Sequence, residues 1–155
     1  SIESVHYKGK THIVQMTEKI TTEFPYNVEL GHVQPAILTT FLKNKIVKLI
    51  NDISVALKFD NCGSHTELKI GTHGGITIIE TSPRLGGDFI TSVLVPLSTG
   101  IDIERLLVQI SIGAKINPEE FKYILEEQKI EAKNIALKAE QESIEEFIQS
   151  KYIRR

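Results

Sequence analysis

Glu67 and Glu80 are the carboxylates whose spacing could do chemistry, and both lie in residues 64–88, SHTELKIGTHGGITIIETSPRLGGD. Two alternating runs, residues 64–70 and 76–81, flank Thr72-His73-Gly74-Gly75, the pattern of a two-stranded hairpin. Centring the turn on His73 and Gly74 pairs Thr72 with Gly75 and sets Glu67 directly opposite Glu80. Opposed residues on one face of a sheet have Cβ atoms about 5 Å apart, where two like charges destabilise the pair. A hard divalent cation between them resolves the conflict, because carboxylate oxygens favour Mg²⁺, Mn²⁺ or Ca²⁺. A four-residue loop keeps this register, and a three-residue loop breaks it.

Side chains alternate along a strand, so His65, Glu67 and Lys69 share one polar face and Leu68 and Ile70 the other. On the second strand Ile78, Glu80 and Ser82 are expected on the glutamate face, with Ile79 turned to the core. Arg84 follows at the strand end. Gly86-Gly87 permits a close backbone approach to a ligand or an unusual turn, and Asp88 can cap the helix that DFITSVLVPL suggests. A helix start beside an arginine places an anion site next to the cation site. Each feature alone is common on protein surfaces. Concentrated on one face of so short a stretch, they favour a functional site.

The elements that position this stretch follow from the remaining periodicity. Residues 2–7 and 11–19 alternate as strands around Lys8-Gly9-Lys10, and Glu3 and Glu18 on them are expected to be solvated. Residues 20–25 read as a loop, and residues 26–33 as a third strand on which Glu29 and His32 could face a ligand. Thr39 or Thr40 caps an amphipathic helix to Lys58, with Phe41, Leu42, Ile46, Leu49, Ile50, Ile53 and Leu57 as its apolar stripe. A short helix over residues 88–97 and another over 102–112, stopped by Gly113, complete the domain. From Asn117-Pro118 a long helical extension is expected, able to pack on the domain or on a second subunit.

At 155 residues the chain is one domain by length, with 41% hydrophobic and 25% charged residues. A formal charge of -2 with no basic run argues against nucleic-acid or anionic-membrane binding. Cys62 is the only cysteine, which excludes an internal disulfide and suits a reducing, cytoplasmic compartment. No stretch has transmembrane length, and no signal peptide opens the chain. The sequence opens inside an apparent strand, so a longer parent polypeptide is expected. A Gly-x-Ser-x-Gly elbow, zinc-ligand spacings, a P-loop and a Gly-x-Gly-x-x-Gly fingerprint are all absent. Paired carboxylates, an arginine and a Gly-rich turn remain, a set suited to phosphoryl or acyl-phosphate chemistry.

The segments GHVQPAIL, SHTELKI, IIETSPRLGGDFI and LVPLSTGID resemble, in that order and spacing, the carboxy-terminal half of the ATP-grasp fold. The likeness is to carboxylate–amine ligases such as L-amino acid ligases, and more distantly to biotin carboxylase. It covers residues 1–116, leaving residues 117–155 as a helical extension. It implies an α+β fold with a mainly antiparallel sheet, and a part of an ADP-forming ligase that uses ATP and Mg²⁺, with Mn²⁺ as a substitute. It further implies that Glu67 and Glu80 coordinate the metal, that Arg84 stabilises an acyl phosphate, and that Gly86, Gly87 and, more loosely, Asp88 line the substrate side. Ser82 stands where many members carry an asparagine metal ligand. Lys69 is a nucleotide-binding candidate from its face, and His32 a substrate-binding one. The expected partners are ATP, a small carboxylate, an amine and the amino-terminal part of the same polypeptide, whose nucleotide-gripping lobe does not precede Ser1 in this sequence; this piece alone is expected to be inactive. The competing reading is a non-catalytic binding or oligomerisation module.

Overall fold

The computed structural model describes residues 1–117, so the expected helical extension lies outside the described residues. Its centre is a four-stranded antiparallel sheet in the order β2-β1-β5-β6, built from β1 (Ile2–Tyr7), β2 (Lys10–Met16), β5 (Cys62–Ile70) and β6 (Ile76–Ser82). Strand β1 runs down the middle and is buried from Ile2 to His6. A small second sheet pairs β3 (Glu18–Thr21) with β4 (Glu29–Val33). Part of the expected loop at residues 20–25 is therefore strand, and the expected strand at 26–33 begins only at Glu29.

Strand parity explains how both faces of the main sheet are covered. Even-numbered β1 residues face helix α1 (Thr40–Leu57), where Ile2 packs with Ile46 and Ile50 and with partly buried Leu38, Leu68 and Ile76. On the same face His6 shares hydrogen bonds with Ser54 Oγ of α1 at 3.0 Å and Ser64 Oγ of β5 at 2.8 Å. Val5, of odd parity, faces the opposite way. It joins Ile90, Leu94 and Val95 and the Ile103, Leu106 and Ile110 stripe of α3 (Ile103–Ser111). Ahead of α3 come a π-helical turn at Ile90–Leu94 and the short helix α2 (Val95–Thr99).

Helix boundaries follow local chemistry. The Thr39 hydroxyl accepts from the Leu42 amide at 3.3 Å, and Lys58 closes α1 in the left-handed conformation. Asp102 caps α3 by accepting from the Arg105 amide at 2.9 Å, and Gly113, at φ 73°, follows its end. Asp88 does not cap the segment after it: that turn starts from Phe89 with no side-chain cap, and both Asp88 and Phe89 have positive φ. The apolar stripe of α1 is narrower than its sequence period, since Phe41 is 69% exposed.

Ile46→Ala should therefore cost about 2–5 kcal/mol, the usual loss on emptying a filled core site. Phe41→Ala, five residues earlier in the same helix, should stay within about 1 kcal/mol. Urea unfolding of the two variants against the parent chain measures both.

Candidate active site

The β5–β6 hairpin brings Glu67 and Glu80 into direct register, as the spacing predicts, but by a different route. Ile70 pairs with Ile76, so the connection is residues 71–75, closed by the Gly71 amide on the Gly75 carbonyl at 2.9 Å. That turn is centred on His73 and by itself would set Glu67 against Ile79. A β-bulge between Glu67 and Leu68 inserts Ile79 as an extra residue and restores Glu80 opposite Glu67. The bulge also reverses parity. Ile78 pairs with Leu68 on the α1 side, away from the glutamates, and Ile79 is 60% exposed instead of facing the core.

Each glutamate is held by neighbours through one oxygen. Glu67 Oε1 accepts from Lys19 Nζ at 2.5 Å and from His65 Nε2 at 3.2 Å. Glu80 Oε1 accepts from the Ser82 hydroxyl at 2.9 Å and from Arg84 at 3.4 Å. None of the hydrogen bonds among the described residues uses Oε2 of either glutamate. Burial pushes the Glu67 carboxyl up, but the bonds from Lys19 and His65 outweigh it and hold the group below its ordinary range. Two opposed carboxyl groups with a hydroxyl beside them are an oxygen-rich donor set that fits a hard divalent cation, which Glu67, Glu80 and Ser82 would hold.

Behind Glu67 lies a buried carboxylate that the sequence reading placed in solvent. Glu3 is 0% exposed; Glu3 Oε1 binds His65 Nδ1 at 2.6 Å, and Oε2 accepts from the Gly86 amide at 3.2 Å. Both nitrogens of His65 thus face carboxyl oxygens, an arrangement that favours the protonated ring. Burial opposes that charge, yet the bonds to Glu3 and Glu67 raise the His65 pKa above its ordinary value. Glu3 has the parity of Val5 and Tyr7, and that shared face is the signal that would have placed it inside.

The same contact explains Gly86. A Cβ there would lie 2.8 Å from His65 Nδ1 and 3.0 Å from Glu3 Oε1, so the close backbone approach is to this buried pair. At Gly87 a Cβ would meet nothing within 4 Å. Beyond the turn, Asp88 reaches back to β4. Its carboxylate lies 4.0 Å from His32 Nε2, and Glu29 Oε2 lies 3.8 Å from the same nitrogen. His32 is a fully buried residue, and burial lowers its pKa despite the nearby Glu29 carboxylate. A bulge in the β3–β4 ladder makes Leu30 an extra residue and lets Glu29 and His32 converge.

Lys19 joins the two groups, its Nζ 2.5 Å from both Glu29 and Glu67. Burial works against its charge, but the two carboxylate bonds raise its pKa overall. A cleft of about 650 Å³ opens here, lined in part by Lys19, Glu29, Glu67, Lys69, Leu38 and Ile79. Lys69 is exposed on its rim. Arg84 is more than half exposed and holds Glu80 and the Leu85 carbonyl. The structure thus gathers Glu67, Glu80, Ser82 and Arg84 in one place and His32 with Asp88 in another. Glu3, Lys19 and the Glu29 contact link them.

An ATP-grasp domain description matches residues 2–92, more than half of the sequence. The chain belongs to the ATP-grasp family. This ATP-grasp chain is 30% identical to an alanine–anticapsin ligase of Bacillus amyloliquefaciens over 111 residues, 71% of the chain and 23% of that protein. It therefore spans about a quarter of the length of the curated relatives it matches. Its fold matches an L-amino acid ligase from Bacillus licheniformis with a TM-score of 0.65 at 27% identity, over 80% of this chain and 29% of that one. A biotin carboxylase from Campylobacter jejuni, in a β,γ-ATP complex, gives a TM-score of 0.65 at 16% identity, over 79% of this chain and 26% of that one; this shows the fold alone. The expected α+β ATP-grasp architecture with an antiparallel sheet is the one observed.

Two outcomes test this geometry. Gly86→Ala should destabilise the fold by about 1–3 kcal/mol through overpacking against Glu3 and His65, with Gly87→Ala near neutral, read as thermal midpoints. His65 has a raised folded pKa, so its contribution is fully present below its unfolded pKa of about 6.5 and is lost as pH rises through the folded value. The urea-midpoint gap between the parent chain and His65→Gln should accordingly be widest below about pH 6.5 and narrow as the pH is raised above it.

Proposed function

We propose that this ATP-grasp chain supplies the metal-and-substrate half of an ATP-dependent, ADP-forming carboxylate–amine ligase. The direct register of Glu67 and Glu80, with Arg84 at the end of the same strand, carries the reading. Relatives that are ligases support it. On this reading Glu67, Glu80 and the Ser82 hydroxyl hold Mg²⁺, or Mn²⁺ in its place. The ion supplies charge neutralisation at the ATP phosphates.

Arg84 binds the transferring phosphoryl group, and its exposure leaves it free to turn from Glu80 to an incoming phosphate. The γ-phosphoryl passes to a substrate carboxylate oxygen, breaking the bond to ADP and forming an acyl phosphate. An amine then attacks the acyl carbon, and phosphate leaves. Lys69 reaches the nucleotide from the cleft rim, and Gly86, Gly87, Asp88 and His32 line the substrate side. Holding the reactants in line accounts for much of the rate in such chemistry. The upstream part of the same polypeptide supplies the rest of the nucleotide clamp, residues 1–116 acting as the carboxy-terminal subdomain and 117–155 as an extension. Among the described residues no helix is long and apolar enough to cross a membrane.

A second reading, a non-catalytic binding or assembly module, draws support from the Lys19 and Arg84 ion pairs, which already balance the two glutamates. Calorimetric titration of Mg²⁺ with a non-hydrolysable ATP analogue separates the two. Saturable binding that Glu67→Gln and Glu80→Gln each weaken about tenfold or more is expected. Binding untouched by both substitutions would sink the ligase reading.

A further inference from the structure

Each of the two opposed glutamates carries one side-chain cation from Lys or Arg. Arg84 holds Glu80 from the end of β6, and its side chain is 56% exposed. Lys19 holds Glu67 from β3 and differs in two ways: its side chain is only 17% exposed, and it grips a second carboxylate, that of Glu29. Its bonds to Glu29 Oε1 and Glu67 Oε1 are both 2.5 Å. An ammonium has three N–H donors. Two are filled here, and the third has no acceptor among the described residues. Lys19 lines the cleft beside Glu67, Glu29 and Lys69, so that donor is open to a ligand there.

An ion bound to Glu67 at the ~2.1 Å of magnesium–oxygen bonds lies at most about 7 Å from Lys19 Nζ. A cation that arrives alone is repelled by the ammonium and competes with it for the same carboxylate. One that arrives with a phosphate brings an acceptor, since that group can put one oxygen on the metal and another on the unfilled N–H. Lysine binds phosphate in this way, as a point charge. At low exposure the attraction is less screened than at Arg84.

We propose that Lys19 is a phosphate-binding residue of the cleft, the counterpart of Arg84 on the other glutamate, and that it couples metal binding to nucleotide binding. The inference rests on the ligase reading and adds to it a group that holds the metal-bound phosphate from the β3 side. The ammonium disfavours the bare metal and favours the metal–nucleotide complex, so the two ligands bind together. A purely structural ion pair acts differently: its loss loosens Glu67 and weakens both.

Two titrations of the full 155-residue chain separate these roles. Free Mn²⁺ is followed by electron paramagnetic resonance, and a non-hydrolysable ATP analogue by calorimetry in saturating Mg²⁺. Lys19→Met keeps an aliphatic stem and removes the charge, and the two carboxylates it leaves, 36% and 29% exposed, are open to water. It should bind Mn²⁺ alone about threefold more tightly and the Mg²⁺–analogue complex about tenfold more weakly. Lys19→Arg retains the charge and the donors and should hold both affinities within about threefold of the parent. Affinities that fall together in Lys19→Met, or that both stay unchanged, would overturn the proposal. So would a parent chain that does not bind the complex, or a loss of complex binding of about tenfold in Lys19→Arg, the deciding variant if Lys19→Met does not fold. Failure of the ligase reading itself shows elsewhere, as Mg²⁺ binding indifferent to Glu67→Gln and Glu80→Gln.

Discussion

The carboxylate of Glu3, enclosed in the middle of the sheet, is the constraint on which the candidate site depends. A charge without water needs full compensation from its neighbours. Glu3 finds it in the His65 ring and the Gly86 amide, two groups from segments more than twenty residues apart. Those bonds settle several things together. They raise the pKa of His65, whose other nitrogen meets Glu67, and they draw the Gly86 turn onto the sheet so closely that no side chain fits. The carboxylate therefore ties the glutamate face of the hairpin to the Gly86 turn.

Two bulges provide the second layer of control. Strands alternate strictly, so a functional face is normally limited to every other residue. Ile79 and Leu30 are each an extra residue in a ladder, and each shifts parity by one. The first insertion brings Glu80 opposite Glu67 although the turn is of the wrong size. The second lets Glu29 and His32, three residues apart, converge on one point. Bulges are common where a sheet has to re-aim side chains, and here both occur at the cleft.

Charge balance links the parts. Lys19 contacts Glu29 and Glu67 together, and Arg84 contacts Glu80. The acidic groups are thus held in place, each with one oxygen engaged. A cation arriving at this surface meets carboxylates that are already oriented, and an anion meets an arginine whose present partner is exposed and weakly held.

The sequence by itself determined the hairpin, the two glutamates on it, the arginine and glycine turn after it, and the amphipathic helix from Thr40. These follow from local rules: period two in strands, period 3.6 in helices, turn residues at short range, and a motif order that resembles the ATP-grasp fold. Tertiary structure alone decided that Glu3 is interior, that Ile79 is not, and that Lys19 reaches the cleft. Burial of Glu3 depends on β1 being the central strand, a pairing with β5 across some sixty residues that no local pattern encodes. Bulges likewise arise from ladder mismatch between two strands, and neither strand shows the mismatch alone. Local periodicity names the chemically capable residues, and long-range pairing selects which of them meet.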